Sequence, residues 1–296
     1  MCGSSAAGLL RLQPPSKSSK QHMQQESTNP ELFGETAGLV NPDEFPSWII
    51  FEDDNFLVLN KPGWLVCHPS KNGPYSSLAG AAREYLKTDA LHLVNRLDRE
   101  TSGVVVLAKN RETASAAQKA MMDKKLVGKK YIAILDGHLN ANVVVAQPLA
   151  DDKDSPVVVK SCCAVRKLSA KKALTEFSPR CLSQNPQFRK ATLAEVKIGT
   201  GRKHQIRVHA QWIGHHVVGD KIYGEDENFY LQFIEKGVSE EMLQTLQMRR
   251  QALHCLEMDF SKVFPNTVFR APLKPDMLDF IASRFSPDAL DWAKNL

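Results

Sequence analysis

The sequence predicts an α+β fold, a largely antiparallel mixed sheet with flanking helices and loops. Three observations predict it. Short apolar, β-branched runs recur along the chain, Val104–Ala108 among the longest of them. Turn chemistry closes these runs, as at Lys61-Pro62-Gly63 and Asp136-Gly137. One longer stretch, 110–126, spaces Ala and Met among good helix formers. The chain has 296 residues, 43% of them hydrophobic and 24% charged, which excludes collagen-like, disordered and coiled-coil classes. No apolar run approaches the roughly 18 residues that cross a bilayer, so no membrane partner is expected.

In chain order, residues 1–46 read as a disordered tail, rich in Ser, Gln and Pro and without apolar periodicity. Residues 1–25 carry no acid but a single arginine, Arg11, so the composition favours a cytoplasmic protein over an imported one. Phe56-Leu57-Val58-Leu59 is a strand, and Leu65-Val66-Cys67 resumes extended structure. Val104–Ala108 is a buried strand. Asn110 caps the helix over 110–126 and Gly128 stops it. Lys130–Leu135, Val157–Val159, Ala173–Phe177 and Leu193–Ile198 read as further strands. Thr200 reads as the cap of a helix running through Trp212.

The net charge of +5 hides an uneven distribution. Residues 1–46 sum to −2 and residues 225–296 to −4, while 47–224 hold 27 bases against 16 acids. A basic middle points to a polyanion, or else to solvated helix and turn faces. The six cysteines form no CxxC pair, and the nine histidines show no helical i, i+4 zinc pair. Neither a disulfide framework nor a metal site is expected.

Three segments stand out chemically. Asn95–Gly103 packs Arg96, Asp98, Arg99 and Glu100 into a turn before a buried strand. It reads either as a solvated turn with weak ion pairs, or as Asp98 held at a strand edge for nucleophilic or base chemistry by a nearby arginine. In Thr200–His209, Arg202 and Lys203 fall in the expected first helical turn, against the helix dipole. That is an exposed basic helix end, or a site that meets an anion. Lys130-Tyr131 starts a strand, where a tyrosine is a core residue or a stacking platform.

Taken together, these segments resemble the RluA-type family of RNA pseudouridine synthases. Asn95–Gly103 is similar to the motif H-R-L-D-x-x-T-S-G, Lys130-Tyr131 to K-x-Y, and Thr200–His209 to T-G-R-x-H-Q-x-R-x-H, continuing into Gly219-Asp220 and Tyr223-Gly224. Glu52–Pro69, Leu253-His254 and Ala271-Pro272-Leu273 extend the resemblance over about residues 48–278. Asn95 stands where the motif has His.

The resemblance implies the pseudouridine synthase catalytic fold over 47–296; the S4-like RNA-binding domain common upstream in relatives is not expected to fit within 1–46. It implies isomerisation of a uridine in structured RNA, transfer or ribosomal, by an Asp carboxylate and base flipping, with no cofactor. Asp98 would be the catalytic carboxylate, Arg207 its compensating cation and Tyr131 a stacking ring. Leu97 and Ile206 would wall the pocket. Arg96, Arg202, Lys203, His204, Lys61 and Lys130 would contact RNA. A monomer is expected. The alternative is an inactive RNA-binding or ribosome-assembly protein on the same scaffold, marked by Asn95.

Overall fold

The computed structural model describes residues 38–68, 72–123, 126–164 and 169–296. Its strands and helices are β1 (Ile49–Glu52), β2 (Phe56–Lys61), α1 (Leu78–Leu86), β3 (His92–Leu93), β4 (Ser102–Ala108), α2 (Arg111–Met122), β5 (Gly128–Asp136), β6 (Val143–Val145), β7 (Leu149–Asp151), β8 (Ser161–Cys163), β9 (Thr175–Leu182), β10 (Ala191–Ile198), α3 (Gln205–Trp212), α4 (Asn228–Lys236), α5 (Glu240–Leu246), β11 (Leu253–Asp259), β12 (Val268–Arg270), α6 (Pro275–Arg284) and α7 (Pro287–Lys294).

One large sheet runs in the order β1-β2-β4-β11-β5-β10-β9-β6, with β3 on β4 and β12 on β11. Its pairs are antiparallel except β4–β11, among the described residues. This is the α+β architecture the sequence predicts. A strand from late in the chain, β11, is inserted between two early ones. There Ser102 faces His254 and Gly103 faces Cys255. Gly103 sits at φ +109°, and a Cβ on it would run into the Cys255 carbonyl. Only glycine allows the two strands this approach.

β2 and β4 are buried on both faces, which explains their unbroken apolar runs. Val58, Val104 and Val106 face one core, shared with Ala114 and Ala117 of α2 and with Met277 and Ile281 of α6. Leu57, Leu59, Val105 and Leu107 face the other, shared with Leu78 and Ala82 of α1. Asn110 caps α2 through the Thr113 amide, as expected. The helix ends earlier than expected, at Met122 rather than at Gly128.

Four other expectations change. The tail boundary at 46 falls inside packed structure, because Val40 and Phe45 are buried against Leu78 and Trp48; residues 1–37 lie outside the described residues. Leu65–Cys67 pairs with no strand, although Val66 and Cys67 carbonyls accept the first amides at α1. Val157–Val159 is a turn, with Val157 buried beside Tyr223 and Val158 89% exposed, so a β-branched run here serves packing at one position. Thr200 does not cap α3. Its hydroxyl bonds the Gln205 side chain at 2.6 Å, whose Oε1 also accepts the Arg202 amide at 3.1 Å. α3 therefore starts at Gln205, with His204 before it in the left-handed region at φ +55°. Arg202 and Lys203 lie before the helix rather than in its first turn.

Candidate active site

Asp98 lies on the loop that feeds β4, and α3 brings Arg207 to it. Arg207 Nη1 donates to Asp98 Oδ2 at 2.8 Å. Asp98 Oδ1 has no hydrogen-bond partner among the described residues. The Asp98 side chain is 30% exposed, whereas that of Arg207 is 5% exposed. Arg207 is itself clamped from behind, with Nε and Nη2 on the two Asp220 oxygens at 2.6 and 2.8 Å. Asp220 in turn accepts the Ile222 and Tyr223 amides. This bidentate clamp fixes the guanidinium plane and aims Nη1 at Asp98. Gly219, at φ +78° where a Cβ would meet the Arg250 carbonyl, lets the chain enter this corner.

Burial opposes ionisation of Asp98, but His204 and Arg207 outweigh it and hold its carboxyl below the usual range. His204 Nε2 lies 3.9 Å away and helps only while protonated. Burial, then the Arg207 charge, pushes His204 down to about 4. At neutral pH Arg207 is therefore the compensating cation. The Tyr223 hydroxyl accepts the Ser161 amide and lies 2.8 Å from His204 Nδ1, so it donates there and leaves the Nε2–H of a neutral imidazole facing Asp98. The Tyr223 ring also lies beneath the Arg207 guanidinium, 5.0 Å from its centroid.

Tyr131 projects from β5 and is 8% exposed. Burial, then the Cys255 thiol that its side chain bonds, raises its phenol well above the ordinary value, and the Asp98 charge adds to this. Tyr131 is thus a neutral ring within electrostatic reach of Asp98. Leu97 is half-buried between the two cores, with its amide 3.4 Å from Cys67 Sγ. Ile206 is buried in the larger core.

The residues named for RNA contact divide. Arg96 is exposed on the Asp98 loop, with Nη1 2.8 Å from His68 Nε2. Arg202 is exposed and donates to the Lys172 carbonyl at 3.2 Å. Lys203 pairs with Asp151 at 2.6 Å on the surface. Lys130 is half-buried, 3.6 Å from Glu257, its partner across β5–β11. Lys61 is a correction. It is wholly buried, and its ammonium donates to the Pro62, Leu65 and Arg99 carbonyls at 2.8, 2.8 and 2.9 Å. Burial pushes it down to about 7. It ties β2 to the Asp98 loop and does not face a phosphate.

Asn95 also acts on the loop. Its Nδ2 donates to the Val104 carbonyl at 3.0 Å and its Oδ1 accepts the Val106 amide at 2.8 Å. One donor and one acceptor are needed, which a neutral imidazole also supplies. The Asn in the motif therefore fills a structural place and removes no proton carrier from Asp98.

Asp220 and Tyr223 are site residues to which sequence reasoning gave no role. The signal was a motif arginine that, once buried, needs more acceptors than one carboxylate supplies. Among the described residues, no group of His, Cys, Asp or Glu side chains is placed to hold a metal ion, and no helix is long and apolar enough to cross a membrane.

The site thus joins a loop carboxylate, ionised by a clamped arginine, to a neutral tyrosine within its electrostatic reach. Residues 55–212 match the RNA pseudouridylate synthase family model. The chain is 31% identical over 261 residues to the ribosomal large subunit pseudouridine synthase D of Salmonella typhimurium, covering 84% of this chain and 75% of that one. It is 37% identical over 195 residues to an uncharacterised RNA pseudouridine synthase of Mycoplasma pneumoniae, covering 66% of this chain and 60% of that one. It is 32% identical over 234 residues to the D synthase of Zymomonas mobilis, covering 74% and 66%. Matches to several relatives thus span less than two thirds of their length. In fold, the solved human RNA pseudouridylate synthase domain containing 1 superposes with a TM-score of 0.61 at 22% identity, covering 83% of this chain and 94% of that chain. The chain belongs to the RNA pseudouridylate synthase family.

Proposed function

We propose that this chain is an RNA pseudouridine synthase that isomerises a uridine in structured RNA. Ribosomal RNA is the first substrate to test, since relatives named for the large ribosomal subunit are 31–32% identical. The observation that carries the reading is the Asp98–Arg207–Asp220 array.

The reaction breaks the N1–C1′ bond, turns the uracil and joins C5 to C1′; C5 then loses its proton and N1 gains one, so atoms and electrons balance. It needs one ionised carboxylate at the ribose and a pocket for an extruded base. Arg207 keeps Asp98 ionised while Oδ1 stays open to the sugar. That oxygen adds to C1′ or removes a ribose proton on the way to a glycal. Tyr131 offers a ring on which the uracil stacks, worth about 1–3 kcal/mol. Arg96, at the loop tip, enters the space the base leaves, and Arg202 and Lys203 take phosphates. Asn95 holds the loop through the Val104 carbonyl and Val106 amide, which favours an active protein over an inactive scaffold.

The test is incubation with unmodified ribosomal and transfer RNA, followed by carbodiimide mapping of pseudouridine. A new stop at one ribosomal site is the expected result. No stop in either RNA contradicts the activity, and a stop in transfer RNA alone contradicts the substrate.

A further inference from the structure

Behind the Asp98 loop lies a cavity of about 590 Å³ that the catalytic reading does not use. Its size is within the ~300–1,000 Å³ of small-ligand sites. Trp64, Phe233, Met248 and Phe280 supply apolar wall. Arg99, Arg249, Arg250, Lys274 and Arg284 line it against three carboxylates. Two of those are already engaged, Asp276 by Arg250 in bidentate fashion and Glu100 by Lys221. The third, Asp279, is exposed on α6. The cavity thus offers aromatic wall and surplus positive charge together.

Arg284 marks where an anion would act. Its guanidinium lies 4.0 Å from the Phe280 ring centroid and 4.4 Å from that of Phe188. One Nη bonds Gln247, but the buried Nε–H has no acceptor among the described residues. Lys274, with its ammonium on the Asn60 carbonyl at 2.9 Å, is pushed down to about 8 by burial and by Arg250. Both side chains line the cavity and carry no carboxylate partner among the described residues.

The geometry points to a second nucleotide subsite here, holding one nucleoside phosphate unit with its base against the aromatic wall and its phosphate among Arg284, Lys274 and Arg249. The unit's chemistry rests on the cavity; its supply by an RNA strand rests on the function proposed above. Arg99 and Glu100 directly follow Asp98, so a strand crossing that loop passes the cavity mouth.

The test uses the full chain and adenosine monophosphate, whose base is not the uracil the Asp98 site accepts. Titration calorimetry compares it with inorganic phosphate and with a pentanucleotide of adenosine. Two variants sit at exposed positions of α6 that line the cavity. Ser283→Trp fills it and should weaken nucleotide binding about tenfold, as for one lost base–aromatic stack. Asp279→Lys should strengthen it about two- to fivefold at low salt, by removing a carboxylate from the rim. Phosphate alone should bind more weakly than the nucleotide. If the pentanucleotide binds about tenfold tighter than the monophosphate, a strand is the source; equal affinities make it a free nucleotide. No binding, binding indifferent to both variants, or phosphate binding as tightly as the nucleotide overturns the subsite. Pseudouridine formation by the same wild-type preparation separates the two readings. Turnover without nucleotide binding sinks the subsite alone, and nucleotide binding without turnover sinks the catalytic reading alone.

Discussion

Asp220 is the residue on which the site's geometry depends. It meets Arg207 with both oxygens, and its own exposure is 1%. Removing one partner of a buried pair leaves an uncompensated charge, at about 3–5 kcal/mol. Asp220→Ala should therefore lower unfolding stability by that order in urea titration; a change below about 0.5 kcal/mol, the range of neutral surface substitutions, contradicts the clamp. Arg207→Lys keeps the charge but loses the bidentate geometry, so it should retain more turnover than Arg207→Ala. Equal rates for the two would show that charge and aim do not matter. Asn95→Leu strands the Val104 carbonyl and Val106 amide, costing about 1–3 kcal/mol each, while Asn95→His should restore both bonds.

At the scale of elements, His254 at the β4–β11 contact and His204 before α3 set a pH response. His254 lies on β11 at 0% exposure, with Nδ1 on Ser102 Oγ at 2.9 Å and Nε2 on the Ala271 carbonyl at 3.0 Å. The carbonyl can only accept, so Nε2 carries a proton, and burial keeps the second one off Nδ1. Burial pushes it down to about 3, and His204 to about 4. The unfolded chain protonates these histidines near 6.5 while the folded chain does not. Stability is therefore whole above about pH 6.5 and falls as pH drops toward 4, by up to about 1.4 kcal/mol per pH unit per histidine. A thermal midpoint that declines from pH 6.5 to 4.5 is the expected outcome, and a flat one contradicts the neutral burial of these rings. Legibility also divides by element. β2, β4, β5 and the Asn110 cap were readable because each depends on neighbours in sequence. The start of α3 was not, because Gln205 competes with Thr200 for the cap and that competition shows only in three dimensions. The same holds for β11 between β4 and β5 and for Asp220 behind Arg207, contacts between segments distant in sequence. Helices α4 and α5 lie between matching segments and α6 and α7 follow the last of them, so no motif residue marks any of the four.

Over the whole molecule, the +11 of residues 47–224 becomes two populations. Arg96, Arg202 and Lys203 are exposed, whereas Lys61 and Arg207 are spent inside the fold. Charge summed along a sequence cannot separate them. RNA affinity should fall linearly in log–log form with salt, and Arg202→Gln should reduce the slope by about 0.7–0.9 if it holds one phosphate. Lys61→Met should leave the slope unchanged even if it loosens the Asp98 loop. A salt-independent affinity contradicts phosphate binding, and a slope altered by Lys61→Met contradicts its placement. The most direct measurement of the central claim is pseudouridine yield and RNA affinity for Asp98→Asn beside the wild type, on the same ribosomal RNA. Asp98→Asn should form no pseudouridine with affinity largely kept; turnover near the wild-type rate would contradict Asp98 as the reacting carboxylate.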